Sequence, residues 1–472
     1  MIKFGTGGWR EIIGDGFTKA NIQILARALS DKMKAEGKTQ QGIVIGYDRR
    51  FLSKEAMRWA GEVFAAEGIT AYLINKSSPT PLIMYYVMKH KLPYGMMVTA
   101  SHNPAIYNGI KVFTAGGRDA DENQTREIEE YIGRVDRDSV REMDYEEALA
   151  RGLIQEIYPL NEYLDNIISA VNMDMIRAKG LRVVLDPLFG VSETSLATIL
   201  HTARCELTVI HDRHDTLFGG KLPAPNAATL KHLQNTVLDS RADIGIATDG
   251  DADRIGVIDD TGRFLHPNDI LVLLYYYLVK YKGWEGPVVR NIATTHMLDK
   301  VAERFGQVCY EVPVGFKHIS AKMNAVDAIL GGESSGGLTV RGHINGKDGI
   351  YAAALLVEMI AVTGKKLSEI YGEIQEECGA IFMEERDYKF NQEKKERIQG
   401  LLIGEKKLPE LPYEIERVSY LDGSKVYFKN GGWVIGRFSG TEPLLRIFCE
   451  MPEPEMAKQI CGIYEAFLGL KK

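Results

Sequence analysis

Apolar residues recur along this chain in short β-branched runs that alternate with longer segments of helical period. The run 43–48, Ile-Val-Ile-Gly-Tyr-Asp, predicts a buried strand, and 54–66 predicts the helix that follows it. Further strands are expected at 71–74 and 95–99. A second series opens at 183–187 after a charged stretch and ends in 243–247, and a third opens at 287–290. Such alternation predicts α/β layers with parallel or mixed sheets. Beyond Gly364-Lys365-Lys366 the pattern changes. Residues 419–428 and 432–438 predict hairpin strands around a Lys429-Asn430-Gly431-Gly432 turn, and 454–468 a closing helix. The expected organisation is three related α/β domains, 1–147, 148–258 and 259–372, and a C-terminal α+β domain, 373–472. The charged segment 133–151 is the expected link between the first two.

Length supports several domains, because 472 residues exceed what one core sustains, about 250–300. A net charge of −7 gives no electrostatic case for nucleic acid or an anionic membrane as partner. The five cysteines are scattered without metal-type pairing and read as reduced structural thiols. The longest apolar stretch, 270–279, is half of the ~20 residues a membrane span needs; behind Asn268-Asp269 as cap it predicts a buried helix. The N-terminal residues hold no apolar run of signal-peptide type, so the expected setting is cytoplasmic.

Two segments carry the strongest chemistry. In Thr99-Ala100-Ser101-His102-Asn103-Pro104, Ser101 falls on a loop between a strand end and a proline break, and a serine there can carry a phosphoryl group. Far downstream, Asp249-Gly250-Asp251-Ala252-Asp253-Arg254 spaces three carboxylates on one side of an extended segment. Oxygen ligands of this kind suit Mg²⁺. A calcium loop of the EF-hand type is excluded: Arg254 stands at its glycine position, Asp260 at its terminal glutamate, and the flanks read as strands. Near the C-terminus, Arg437-Phe438-Ser439-Gly440-Thr441 through Arg446 gathers hydroxyls, a glycine and guanidinia suited to a phosphate. Gly331-Gly332-Glu333-Ser334-Ser335-Gly336-Gly337 offers a carboxylate and hydroxyls suited to sugar hydroxyls.

In this order the four segments resemble the α-D-phosphohexomutase superfamily, from Gly5-Thr6-Gly7-Gly8-Trp9-Arg10 to the Arg437–Arg446 loop. The resemblance implies four domains around a central cleft, the last with a TATA-box-binding-like fold. It implies that Ser101 is phosphorylated, that Asp249, Asp251 and Asp253 hold Mg²⁺ together with a phosphoserine oxygen, and that Arg254 contacts the phosphoserine. Glu333 and Ser335 would read the sugar's 3- and 4-hydroxyls, and Arg437, Ser439, Gly440, Thr441 and Arg446 would clamp the non-reacting phosphate. Arg10, His102 and Lys111 would assist at the centre, and Lys347 would serve proton transfer and substrate binding. The resemblance further implies a phosphosugar substrate that passes through a bisphosphorylated intermediate, with glucose 1,6-bisphosphate as activator.

On substrate, Gly315-Phe316-Lys317 resembles the glycine–aromatic–lysine loop of phosphoglucomutases, which places Gly315 and Lys317 among the substrate-binding residues. Gly337 stands where mannose- and glucosamine-phosphate mutases often have histidine. Glucose phosphate is the expected substrate, with mannose or glucosamine phosphate as alternative. Two rival classes are a metal-dependent sugar phosphatase, which would not need Ser101, and a non-catalytic phosphosugar sensor, which would not need all four segments intact.

Overall fold

The computed structural model describes residues 2–5, 7–438 and 444–470. Among these, three sheets share one four-strand plan. In the first, strands Ile43–Tyr47, Ala71–Ile74, Tyr94–Val98 and Tyr107–Thr114 lie in the order fourth, third, first, second. The first strand pairs parallel with the second and third, and the third pairs antiparallel with the fourth. Arg182–Asp186, Glu206–Val209, Ile244–Thr248 and Ile255–Ile258 repeat that order and polarity. So do Val288–Asn291, Cys309–Val312, Leu330–Gly332 and Leu338–Val340. The strands Ile43–Tyr47, Tyr94–Val98 and Ile244–Thr248 are buried at every position, as expected where helices cover both faces of a parallel sheet.

The first sheet is longer than the others. Trp9–Ile12 adds antiparallel to Tyr107–Thr114, setting Arg10 opposite Gly109, and Ile154–Ile157 adds parallel to Ala71–Ile74. The C-terminal unit is different: a fully antiparallel five-stranded sheet covered by helices Gln392–Gln399 and Pro454–Leu468.

Two local expectations change. Residues 419–428 are not one strand: Ile415–Ser419 and Ser424–Phe428 are separated by a turn at Asp422-Gly423, where Gly423 adopts φ 107°. The apolar helix runs Pro267–Lys280, and its N-cap is His266, whose ring accepts from the Asn268 N–H. Asn268 and Asp269 lie in its first turn. No helix among the described residues is long and apolar enough to cross a membrane.

Candidate active site

In each of the three repeated units the loop between the third and fourth strands carries a predicted chemical segment. These are the Ser101 loop after Val98, the aspartate loop after Thr248 and the Glu333 loop after Gly332. A third strand that ends in parallel pairing must turn sharply to return antiparallel, which leaves each loop projecting from the same edge.

Ser101 is buried and adopts φ 52°, a left-handed conformation unusual for a residue with a side chain. Its N–H donates to Thr99 Oγ1 at 2.8 Å, and Thr99 in turn donates to Asp48. The Ser101 hydroxyl donates to Asp249 Oδ2 at 2.6 Å and stands 3.2 Å from His102 Nδ1. Domain contact is close enough that a Cβ on Gly250 would stand 2.7 Å from the Ser101 carbonyl oxygen. The loop itself is wrapped by Arg50, which the sequence pattern did not single out. Its guanidinium donates to the carbonyls of Ser101, Asn103, Pro104 and Tyr107 at 2.6–3.0 Å, pairs with Asp48, and lies over the Phe218 ring of the second unit.

The three aspartates are fully buried and each offers an oxygen within 4.8 Å of the others; they are the one such acidic group among the described residues. The set suits a hard cation. Oδ1 of Asp251 and Oδ1 of Asp253 are buried and find no hydrogen-bond partner among the described residues, a costly arrangement unless a cation completes it. Lys111 donates to Oδ2 of both Asp251 and Asp253 at 2.7 Å, and Lys347 stands 3.1 Å from Asp253 Oδ2. The Thr80 hydroxyl also reaches Asp251 Oδ2.

Charges within this cluster shift one another. Burial and the neighbouring Asp251 and Asp253 push the Asp249 carboxyl well above the usual range. Against burial, Lys111, Lys347 and Arg254 hold Asp253 well below it. Against its own burial, Asp251 and Asp253 hold the Lys111 ammonium above its ordinary value. Arg254, burial and Arg10 hold the His102 imidazole well below its ordinary value, so it is neutral near pH 7.

Arg10 donates to Asn103 Oδ1 at 2.7 Å and so stands beside the serine loop. The Arg254 N–H donates to Asp249 Oδ1, while its guanidinium has no hydrogen-bond partner at Nε among the described residues. In the third unit, Glu333 is buried; it accepts from the Gly315 N–H at 3.0 Å and from Asn291 and Ser335 at longer range. Lys317 forms a 2.7 Å ion pair with Glu122 of the first unit. Lys347 lies over Gly337, where a Cβ would stand 2.2 Å from Lys347 Cδ. The missing side chain at 337 is therefore what gives this lysine its place.

Arg437 and Arg446 face one another across antiparallel strands. Arg437 Nε donates to Asp422, which also accepts from the Val314 N–H, while Arg446 is exposed beside Asp387. Ser439, Gly440 and Thr441 lie outside the described residues.

Comparison with known proteins matches the phosphoglucomutase/phosphomannomutase family along the whole chain. Its alpha/beta/alpha domains I, II and III cover residues 1–138, 161–262 and 266–378, and its C-terminal domain covers 393–463. The chain belongs to this family. As a member of the α-D-phosphohexomutase superfamily it is an intramolecular phosphotransferase.

A phosphoglucomutase/phosphomannomutase of Thermococcus kodakarensis is 28% identical over 97% of this chain and 96% of its own. A Methanopyrus kandleri protein named a probable phosphoglucosamine mutase is 31% identical over 97% and 95%. A solved structure of a phosphomannomutase candidate from Thermus thermophilus superposes with a TM-score of 0.85 at 28% identity, over 99% of both chains. The family members therefore share a scaffold while their names divide among sugars.

Proposed function

We propose that this phosphohexomutase interconverts hexose 1-phosphate and hexose 6-phosphate through a phosphoserine at Ser101, with glucose phosphate as the preferred substrate. The observation that carries the reading is the 2.6 Å contact of the Ser101 hydroxyl with Asp249, inside a buried set of three aspartates flanked by Lys111, Arg254 and Arg10. In the forward half-reaction the Ser101 O–P bond breaks and a P–O bond forms to a sugar hydroxyl, whose proton passes to a base. In the return half-reaction the other phosphate of the bisphosphorylated sugar is transferred to Ser101.

Asp249, Asp251 and Asp253 would hold Mg²⁺, which when bound draws negative charge from the phosphoryl group. The protein's own groups do the remaining work. Arg254 and Arg10 supply positive charge where charge spreads over phosphoryl oxygens. Neutral His102, 3.2 Å from the Ser101 oxygen, can hold its proton, and Lys347 serves the sugar hydroxyl. Glu333 and Ser335 read the sugar. Arg437 and Arg446, with Ser439, Gly440 and Thr441, grip the distal phosphate. Glucose 1,6-bisphosphate would activate by phosphorylating Ser101 when its phosphate is lost.

The preference for glucose rests on the paired Gly337 and Lys347: the lysine fills the space that a side chain at 337 would need. A second reading, mannose or glucosamine phosphate, is favoured by the names of relatives at comparable identity. A coupled assay with Mg²⁺ and a trace of glucose 1,6-bisphosphate tests both, comparing glucose, mannose and glucosamine 1-phosphates. Turnover led by mannose or glucosamine overturns the glucose preference. Ser101→Ala separates the mutase from a phosphatase: isomerisation should vanish, and release of free phosphate at an undiminished rate would overturn the phosphoserine route.

A further inference from the structure

We infer that Thr80 is a positioning residue for the metal centre, reaching from the first unit to fix the orientation of Asp251 in the second. The inference rests on the reading of the aspartate triad as a divalent-cation site.

Thr80 opens the helix Thr80–Lys89, directly after the extended Pro79, and is buried. It touches Asp251 twice. Its backbone N–H donates to the Asp251 carbonyl at 2.9 Å, and its hydroxyl donates to Asp251 Oδ2 at 2.6 Å. The first bond sets the height of the aspartate loop against the helix end, and the second sets the rotation of the carboxylate. With Oδ2 taken by Thr80 and Lys111, Oδ1 is the oxygen left buried and without a hydrogen-bond partner among the described residues.

The two donors to Oδ2 differ in what they do when a cation approaches. The Lys111 ammonium carries a full charge and repels a divalent ion at such short range. The Thr80 hydroxyl is neutral, so it can remain on Oδ2 while Oδ1 binds. A ligating carboxylate held by a hydrogen bond on its second oxygen loses less freedom on binding, and outer partners of this type are worth about 10–100-fold in metal affinity. Because Thr80 and Asp251 belong to different units, the same bond links cation binding to the docking of those units. By reciprocity, a cation that prefers the oriented carboxylate also strengthens the docked arrangement.

The test is Mg²⁺ binding by calorimetry to the full unphosphorylated chain, comparing wild type with Thr80→Val and Thr80→Ser. Valine keeps the shape and removes only the hydroxyl. The expected result is Mg²⁺ affinity about 10–100-fold weaker for T80V and near wild type for T80S. The Mg²⁺-dependent rise in melting temperature should shrink in T80V, and turnover should recover at high Mg²⁺ because the loss lies in affinity for the ion rather than in kcat. If T80V fails to fold, Thr80→Ala puts the same question. Wild-type Mg²⁺ affinity in a folded T80V overturns the inference. Asp253→Asn separates the two levels: loss of Mg²⁺ in D253N with retention in T80V leaves the triad standing and removes Thr80. Retention in D253N removes the triad reading, and the inference with it.

Discussion

Replacing Arg50 by lysine keeps the positive charge and removes the planar fork, which makes it a sharp test of how the serine loop is held. The guanidinium serves four carbonyls, those of Ser101, Asn103, Pro104 and Tyr107, and pairs with Asp48 as well. A lysine offers three donors from one point, so it can serve one side of this set but not both. Losing two bonds from a charged donor costs about 3–6 kcal/mol before the loop relaxes. The loop has little reserve, since the left-handed backbone at Ser101 already costs of order 1–3 kcal/mol and persists only because its surroundings enforce it. The loop should therefore relax and carry the Ser101 oxygen off its line to Asp249. A displacement of about 1 Å lowers turnover roughly 100-fold. The substrate contacts proposed above lie in the third and fourth units, so KM should change little. The assay is steady-state turnover of glucose 1-phosphate at saturating Mg²⁺, with near-UV circular dichroism to establish folding. A folded R50K with kcat within about threefold of wild type would refute the reasoning, because the 100-fold loss expected of a misplaced nucleophile would be absent.

Two other outcomes follow from the sites described. Glu333→Gln keeps the Oε1 that accepts from Gly315 and Asn291 but removes the charge and replaces Oε2, beside Ser335, with a donor; KM for hexose phosphates should rise about tenfold while phosphate occupancy of Ser101, read by intact mass, stays level. Equal loss of both removes Glu333 as a sugar reader. His296 lies between the third and fourth units, where burial, Arg290 and Lys425 push its imidazole down to about 3. An unfolded histidine titrates near ~6.5, so below that pH the unfolded chain takes up a proton the folded chain refuses, and stability falls as pH drops. Across the whole window the loss reaches about 5 kcal/mol, at about 1.4 kcal/mol per pH unit. Melting curves between pH 7 and about 4.5 should be flatter in His296→Gln, and parallel curves for the two proteins would show that His296 is not the source.

How much of this was legible in the sequence depends on the range of the contact. Strands such as 71–74 announce themselves by local apolar runs, and Ser101 and the aspartates by dense, local polar chemistry. Arg50 does not, because the carbonyls it holds lie more than fifty positions downstream and an arginine after a strand reads as surface. Thr80 is still less visible, being separated from Asp251 by 171 positions. Lys425 is similar: its buried ammonium lies over the Trp433 ring and bonds Ile292 and Glu311 of the preceding unit, a setting no periodicity reveals. The ion pair of Lys317 with Glu122 is again a contact between units that no local pattern reveals. The break within 419–428 had a local signal, Asp422-Gly423, that the surrounding Tyr420, Val426, Tyr427 and Phe428 outweighed.

The threefold recurrence of one strand order, with a predicted chemical segment always between the third and fourth strands, distributes those segments over three frames that meet at their edges. The Ser101 loop, the aspartate triad and the Glu333 loop each hang from the same joint of a different unit. The joints also touch: the Ile255 N–H, just past the aspartate loop, donates to the Gly336 carbonyl of the Glu333 loop at 3.2 Å. An alteration at Gly336 would therefore be felt at the aspartate loop as well, whereas one at Ser335 would stay within the third unit.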